Sequence, residues 1–78
     1  MTFPDQKIVE FIRKRYTPGT KVELVEMNDA YREMPAGLRG VVIFVDDAGT
    51  IHVNWENGST LGVIYGEDKV RIIRGGIE

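Results

Sequence analysis

The side chains of this chain best placed to do chemistry are its one histidine, His52, and the carboxylates near it, Asp46, Asp47 and Glu56. A histidine of this kind serves metal sites and nucleophilic triads, and paired carboxylates serve acid–base catalysis or calcium binding. The spacing argues against each. There is no second histidine and no cysteine. The Asp-x-Asp rhythm of a calcium loop is missing here, and also around the second acidic pair, Asp29 and Glu33. Aspartates beside glycine in a turn commonly accept hydrogen bonds from neighbouring backbone amides, and Asp46-Asp47-Ala48-Gly49 reads that way. The glycines at 37, 40, 49 and 58 punctuate turns, and none forms a phosphate-cradling loop ahead of a helix. The expectation is a protein that is not an enzyme and carries no metal or cofactor.

The sole tryptophan invites a second kind of chemistry, an aromatic platform for a peptide or a base. Its neighbours decide otherwise. Ile51, Val53 and Trp55 alternate with His52, Asn54 and Glu56, the period of a strand with one buried and one wet face. Trp55 therefore points inward. Burying ~150–250 Å² at ~25 cal/mol per Å² stabilises by about 4–6 kcal/mol at most, comparable to the whole stability of a small domain.

The elements that position these residues follow from the same patterning. Ile8, Phe11, Ile12 and Tyr16 recur at helical spacing over residues 5–16, with Thr2 or Asp5 as N-cap and Arg13, Lys14 and Arg15 near the C-terminal end. Thr17-Pro18-Gly19 breaks that helix. Strands are expected over 20–27, 40–46, 51–56, 59–64 and 69–74. The run Val41 to Val45 is too continuous for simple alternation, so either both faces are covered or a bulge shifts the register. The helix is expected to cover the outer positions of that strand. Asn57-Gly58 reads as a type I′ hairpin turn. Residues 28–38 form a long irregular loop, and residues 65–68 a short crossover. Five short strands in this order describe a mainly β fold, a five-stranded SH3-like barrel with an N-terminal α-helix packed on it. The whole of 1–78 reads as one domain, with the barrel over 20–74 and a flexible tail over 75–78.

Composition limits function further. In 78 residues there are ten basic and twelve acidic side chains, for a net charge of −2. Strong non-specific binding to nucleic acid, which needs several neutralised phosphates, is not expected. No apolar run approaches a membrane span, and Met1 to Gln6 lacks the layout of a signal peptide, so a cytoplasmic protein without a membrane partner is expected.

Function is then expected on the long loop, because binding residues gather on loops held by a rigid scaffold. Tyr31, Arg32 and Met34 lie on it, and Tyr65 with Asp46 and Asp47 would frame one patch beside it. Tyrosine and arginine are enriched at interface hot spots. The opposing reading has Tyr31 or Met34 folding back to lid the barrel. A protein partner is the first expectation, with the chain a monomer or weak homodimer. The alternative is a nucleic-acid accessory role through Arg13, Lys14, Arg15, Lys69, Arg71 and Arg74, provided the helix lies beside the last strand.

Several of these segments together resemble a family called domain of unknown function 4314, found in bacteria and phages. They are Pro18-Gly19-Thr20-Lys21-Val22, Met27 with Asp29, Pro35-Ala36-Gly37-Leu38-Arg39-Gly40, the run Val45 to Trp55, Asn57-Gly58 and Gly66-Glu67-Asp68. The resemblance covers roughly Tyr16 to Ile72. Ala30 and Glu56 depart from it, where the family tends to have proline and aspartate. It implies an SH3-like barrel and a bacterial, phage or mobile-element origin, and it carries over no catalytic residues.

Overall fold

The computed structural model describes residues 5–27 and 34–73. Helix α1 spans Gln6–Arg15, and strands β1 to β5 span Lys21–Glu26, Arg39–Val45, Thr50–Trp55, Val63–Ile64 and Lys69–Ile72. Asp5 caps α1 by accepting a 2.8 Å hydrogen bond from the Lys7 amide, and Arg13, Lys14 and Arg15 fill the last turn, where cations oppose the negative end of the helix dipole.

The strands form a single antiparallel sheet in the order β4-β3-β2-β1-β5. The sheet is open. β4 and β5 are its edges, and no ladder joins them among the described residues. Ile12 of α1 and its C-cap Tyr16 join Val22, Leu24, Val42, Val45, Ile51, Val53, Trp55 and Val63 in one core on the inner face, with Val70 and Ile72 packed against it. Trp55 is only 3% exposed, and its indole N–H donates to the Leu61 carbonyl at 3.0 Å, so the inward reading of this residue holds. Gly40 lies opposite Trp55. A methyl group there would stand 2.6 Å from Val53 Cγ1 and 2.9 Å from the Asn54 carbonyl oxygen, so the close approach of β2 to β3 needs glycine.

Of four expectations, three change and one, the bulge in β2, is borne out. First, α1 buries Val9 and Ile12, with its C-cap Tyr16 buried beside them, while Ile8 and Phe11 stay about half exposed at 48% and 53%. Apolar residues at 8, 9, 11, 12 and 16 cover a sector wider than a ten-residue helix can hide against one surface, and docking selects one side of it. Second, α1 does not cover the outer face of β2, where Val41, Ile43 and Phe44 remain exposed; it packs on the core side. The polar neighbours Lys21, His52 and Asn54 make that outer face a poor seat for an apolar helix. Third, the continuous run in β2 is explained by a bulge. Val42 pairs with Val53 but Phe44 with His52, so Ile43 is an extra residue and both Ile43 and Phe44 face out. Fourth, the strand expected over 59–64 shortens to Val63–Ile64, and the Asn57-Gly58 turn is not of the I′ type. Among the described residues only glycines have positive φ, so Asn57 does not. The Gly58 and Trp55 amides donate to the Trp55 and Ser59 carbonyls, and Gly58 sits at φ +89°. That is a three-residue loop closed by a left-handed glycine.

No helix among the described residues is long and apolar enough to cross a membrane.

Candidate functional site

Where the two edge strands approach without pairing, a groove of about 400 Å³ opens, lined chiefly by Tyr16, Val25, Ile51, Val63, Tyr65 and Val70. Three local devices build it. A second bulge between Leu24 and Glu26 leaves Val25 47% exposed beside β5. The chain then turns tightly after β4, with the Glu67 and Asp68 amides both donating to the Ile64 carbonyl. The Asp68 carboxylate accepts back from the Ile64 amide at 2.9 Å, which fixes the turn from both ends. Tyr65 stands on this turn, 46% exposed, and its ring meets Phe11 edge to face at 6.4 Å and 70°.

Of the residues expected to form a patch with Tyr65, Met34 stands apart, while Asp46 and Asp47 lie at the same end of β3 as Tyr65, where Thr50 pairs with Ile64. Tyr31 and Arg32 lie outside the described residues. Met34 is half-buried at the far end of β3, where Asn57 Nδ2 approaches its sulfur at 3.8 Å and a second cavity is lined by Met34, Pro35, Leu38 and Asn57. It packs against the core, as the lid reading has it. Asp46 and Asp47 occupy the opposite end of β3, roughly 17–20 Å away at ~3.3 Å per residue. Asp47, 94% exposed at its side chain, pairs with Arg13 at 2.7 Å, and Arg13 Nε also donates to the Val45 carbonyl. Helix α1 therefore touches both Asp47, through Arg13, and Tyr65, through Phe11.

Several of the basic residues are paired with carboxylates. α1 packs against β2, with β1 lying between β2 and β5. Arg71 pairs with Glu23 at 3.0 Å, and Lys69 approaches Glu26 at 4.0 Å. Lys14 and Arg15 stay exposed on the helix, Arg15 reaching over the Tyr16 ring at 5.8 Å. Arg74 lies outside the described residues.

His52 has a partner that the sequence pattern did not provide. Its Nε2 lies 2.9 Å from Asp46 Oδ2, and its ring stacks on Phe44 at 4.4 Å and 5°. Asp46 Oδ1 accepts from the Ala48 and Thr50 amides at 3.0 and 2.9 Å. Burial alone would raise the Asp46 pKa. The hydrogen bonds from His52, Thr50 and Ala48, together with the charge of His52, outweigh it and hold the carboxyl below its ordinary range. Chemically this pair is a clasp on the β2–β3 turn. His52 and Thr50 also line a polar cavity of about 720 Å³ with the 57–62 loop. No group of three or more histidine or carboxylate side chains that could hold a metal occurs among the described residues.

The model of the family described as Domain of unknown function (DUF4314) matches residues 5–73. The chain belongs to this family. No curated protein and no solved structure matches it. The matched span begins at the residue that caps α1, so the helix lies within it, and it reaches further than the expected Tyr16 to Ile72.

Phe11 is the functional candidate that sequence reasoning missed, because its helical spacing with Ile12 and Ile8 suggested a core position. The one available signal was Val9, a fifth apolar residue on a helix with room to bury only part of them.

Proposed function

We propose that this chain is a small, non-enzymatic, SH3-like interaction module that binds a protein partner through the face where Tyr65 stands and the 28–38 loop leaves β1. The strand order supports the SH3-like part, because β5 lies antiparallel beside β1 and brings the last strand round to the first. In this reading the sheet is a barrel left open at one seam. The observation that carries the binding proposal is the groove at that seam. It has apolar walls, the half-exposed Tyr65 at its lip and Phe11 against Tyr65, and fixed aromatic anchors beside a pocket are what an interface core requires. Val25, which lines the groove, stands three residues ahead of the expected 28–38 loop in the sequence. A cytoplasmic setting, a bacterial, phage or mobile-element origin and a monomeric or weakly dimeric state belong to the same proposal.

The nucleic-acid alternative draws less support. Arg13, Lys69 and Arg71 already lie within ion-pair distance of carboxylates.

Affinity capture from the source cell with wild type and Tyr65→Ala, each with and without nuclease, tests this. The proposal expects a protein retained by wild type in both conditions and lost with Tyr65→Ala. Capture that survives Tyr65→Ala, or that vanishes with nuclease, overturns it.

A further inference from the structure

The protein is net acidic, yet its uncompensated cations are segregated. Of the eight lysines and arginines among the described residues, Arg13, Arg39, Lys69 and Arg71 lie within ion-pair distance of a carboxylate. The other four are Lys7, Lys14, Arg15 and Lys21, and all belong to α1 or to the first residue of β1. α1 itself carries four cations against the single anion Glu10. Between these cations lie the two apolar side chains that α1 leaves exposed, Ile8 and Phe11. Residues three apart on a helix are neighbours, so Ile8 and Phe11 form one strip, and Phe11 continues it to Tyr65.

From this juxtaposition we infer that the partner is an acidic protein segment with apolar side chains on one face, seated along the exposed side of α1. This rests on the docking reading above. Ile8, Phe11 and Tyr65 supply the apolar anchors, and Lys7, Lys14 and Arg15 supply the basic flank that selects negative charge and orients the approach. A nucleic-acid backbone would use the cations but leave Ile8 and Phe11 without a role. A bilayer would accept both, but a flat surface cannot enter the concave seam beside Tyr65, whereas a side chain of a peptide can.

The experiment uses the full chain, isotopically labelled, and follows backbone amide shifts on adding a synthetic amphipathic peptide of about fifteen residues, with leucine and phenylalanine at helical spacing and glutamate elsewhere. The controls are the same peptide with glutamine or with lysine in place of glutamate, phosphatidylserine-containing vesicles, and a short DNA duplex. The glutamate peptide is expected to shift the amides of residues 7–15 and of Tyr65. The double variant Lys14→Gln/Arg15→Gln is expected to weaken it by about tenfold, with the Trp55 indole resonance unchanged as the check on folding. Equal binding of the glutamine or lysine peptide at Tyr65 overturns the acidic partner and leaves the docking face standing. Shifts caused only by vesicles or by DNA overturn the protein partner itself. No shift at Phe11 or Tyr65 with any peptide overturns both.

Discussion

The two turns that bracket β3 share one backbone and use it in opposite ways. In the first, the Gly49 amide donates to the Asp46 carbonyl and the Asp46 amide to the Thr50 carbonyl, with Gly49 at φ +84°. In the second, Trp55, Gly58 and Ser59 repeat that pattern. The difference lies in the side chain that opens each turn. Asp46 is polar and gathers the Ala48 and Thr50 amides and the His52 ring, while the next residue, Asp47, reaches Arg13 thirty-four positions earlier in the chain. Trp55 is apolar and gathers the core, and Asn57 does the polar work by accepting from the Ser59 amide. One turn is held by electrostatics at the surface and the other by burial. Identical backbone chemistry therefore does not imply equal stability or equal sensitivity to solution conditions.

The contrast can be broken from its strongest side first. Trp55→Ala empties the centre of the core and removes the bond to Leu61, and a loss of about 3–5 kcal/mol is expected by urea titration, enough to unfold much of a domain this small. A mutant as stable as wild type would remove burial as the basis of the second turn. Asp46→Ala should cost less, about 1–3 kcal/mol, because two amides and an imidazole lose their acceptor where only part of that deficit can be met by water.

Acid sharpens the same point. The Asp46 carboxyl titrates below its ordinary range in the folded state, so its contribution is fully present above the unfolded value of about 3.9 and is lost as pH falls through the lower folded value. Stability measured down to that range should decline, and the decline should be shallower in Asp46→Ala; an unchanged slope would mean that other carboxylates govern it. Gly58→Ala places a side chain in the left-handed region, and about 1 kcal/mol is expected from thermal or urea melts, with the Cβ itself meeting open space. Smallest is Asp47→Ala. Its pair with Arg13 is almost wholly exposed on the Asp47 side, so a change under about 0.5 kcal/mol, declining further with salt, is expected.

What could be read in advance depended on the range of the interaction. The alternation of Ile51, Val53 and Trp55 against His52, Asn54 and Glu56 placed β3 and oriented its tryptophan, because the two-residue period is local. Asp46 as an acceptor for its own turn was legible for the same reason. The partner of His52 was not. It depends on Asp46 folding back across the turn while a bulge at Ile43 turns Phe44 outward against the His52 ring. Phe11 shows a second limit. Helical period names the apolar sector but not which half of it meets the sheet, so a residue that looks like core stands beside Tyr65 instead.

By itself the sequence determined the order of helix and strands, the glycine turns, the buried face of β3 and the family resemblance, all of which rest on contacts or conformations within a few residues. Tertiary structure decided the rest. Only the sheet order, with β4 and β5 as unpaired edges, opens the seam that Tyr65 overlooks, and only the docking of α1 leaves Phe11, Lys14 and Arg15 outside. The reason is physical: which polar groups pair and which apolar ones stay wet depends on distances between residues far apart in the chain, and no local period encodes those.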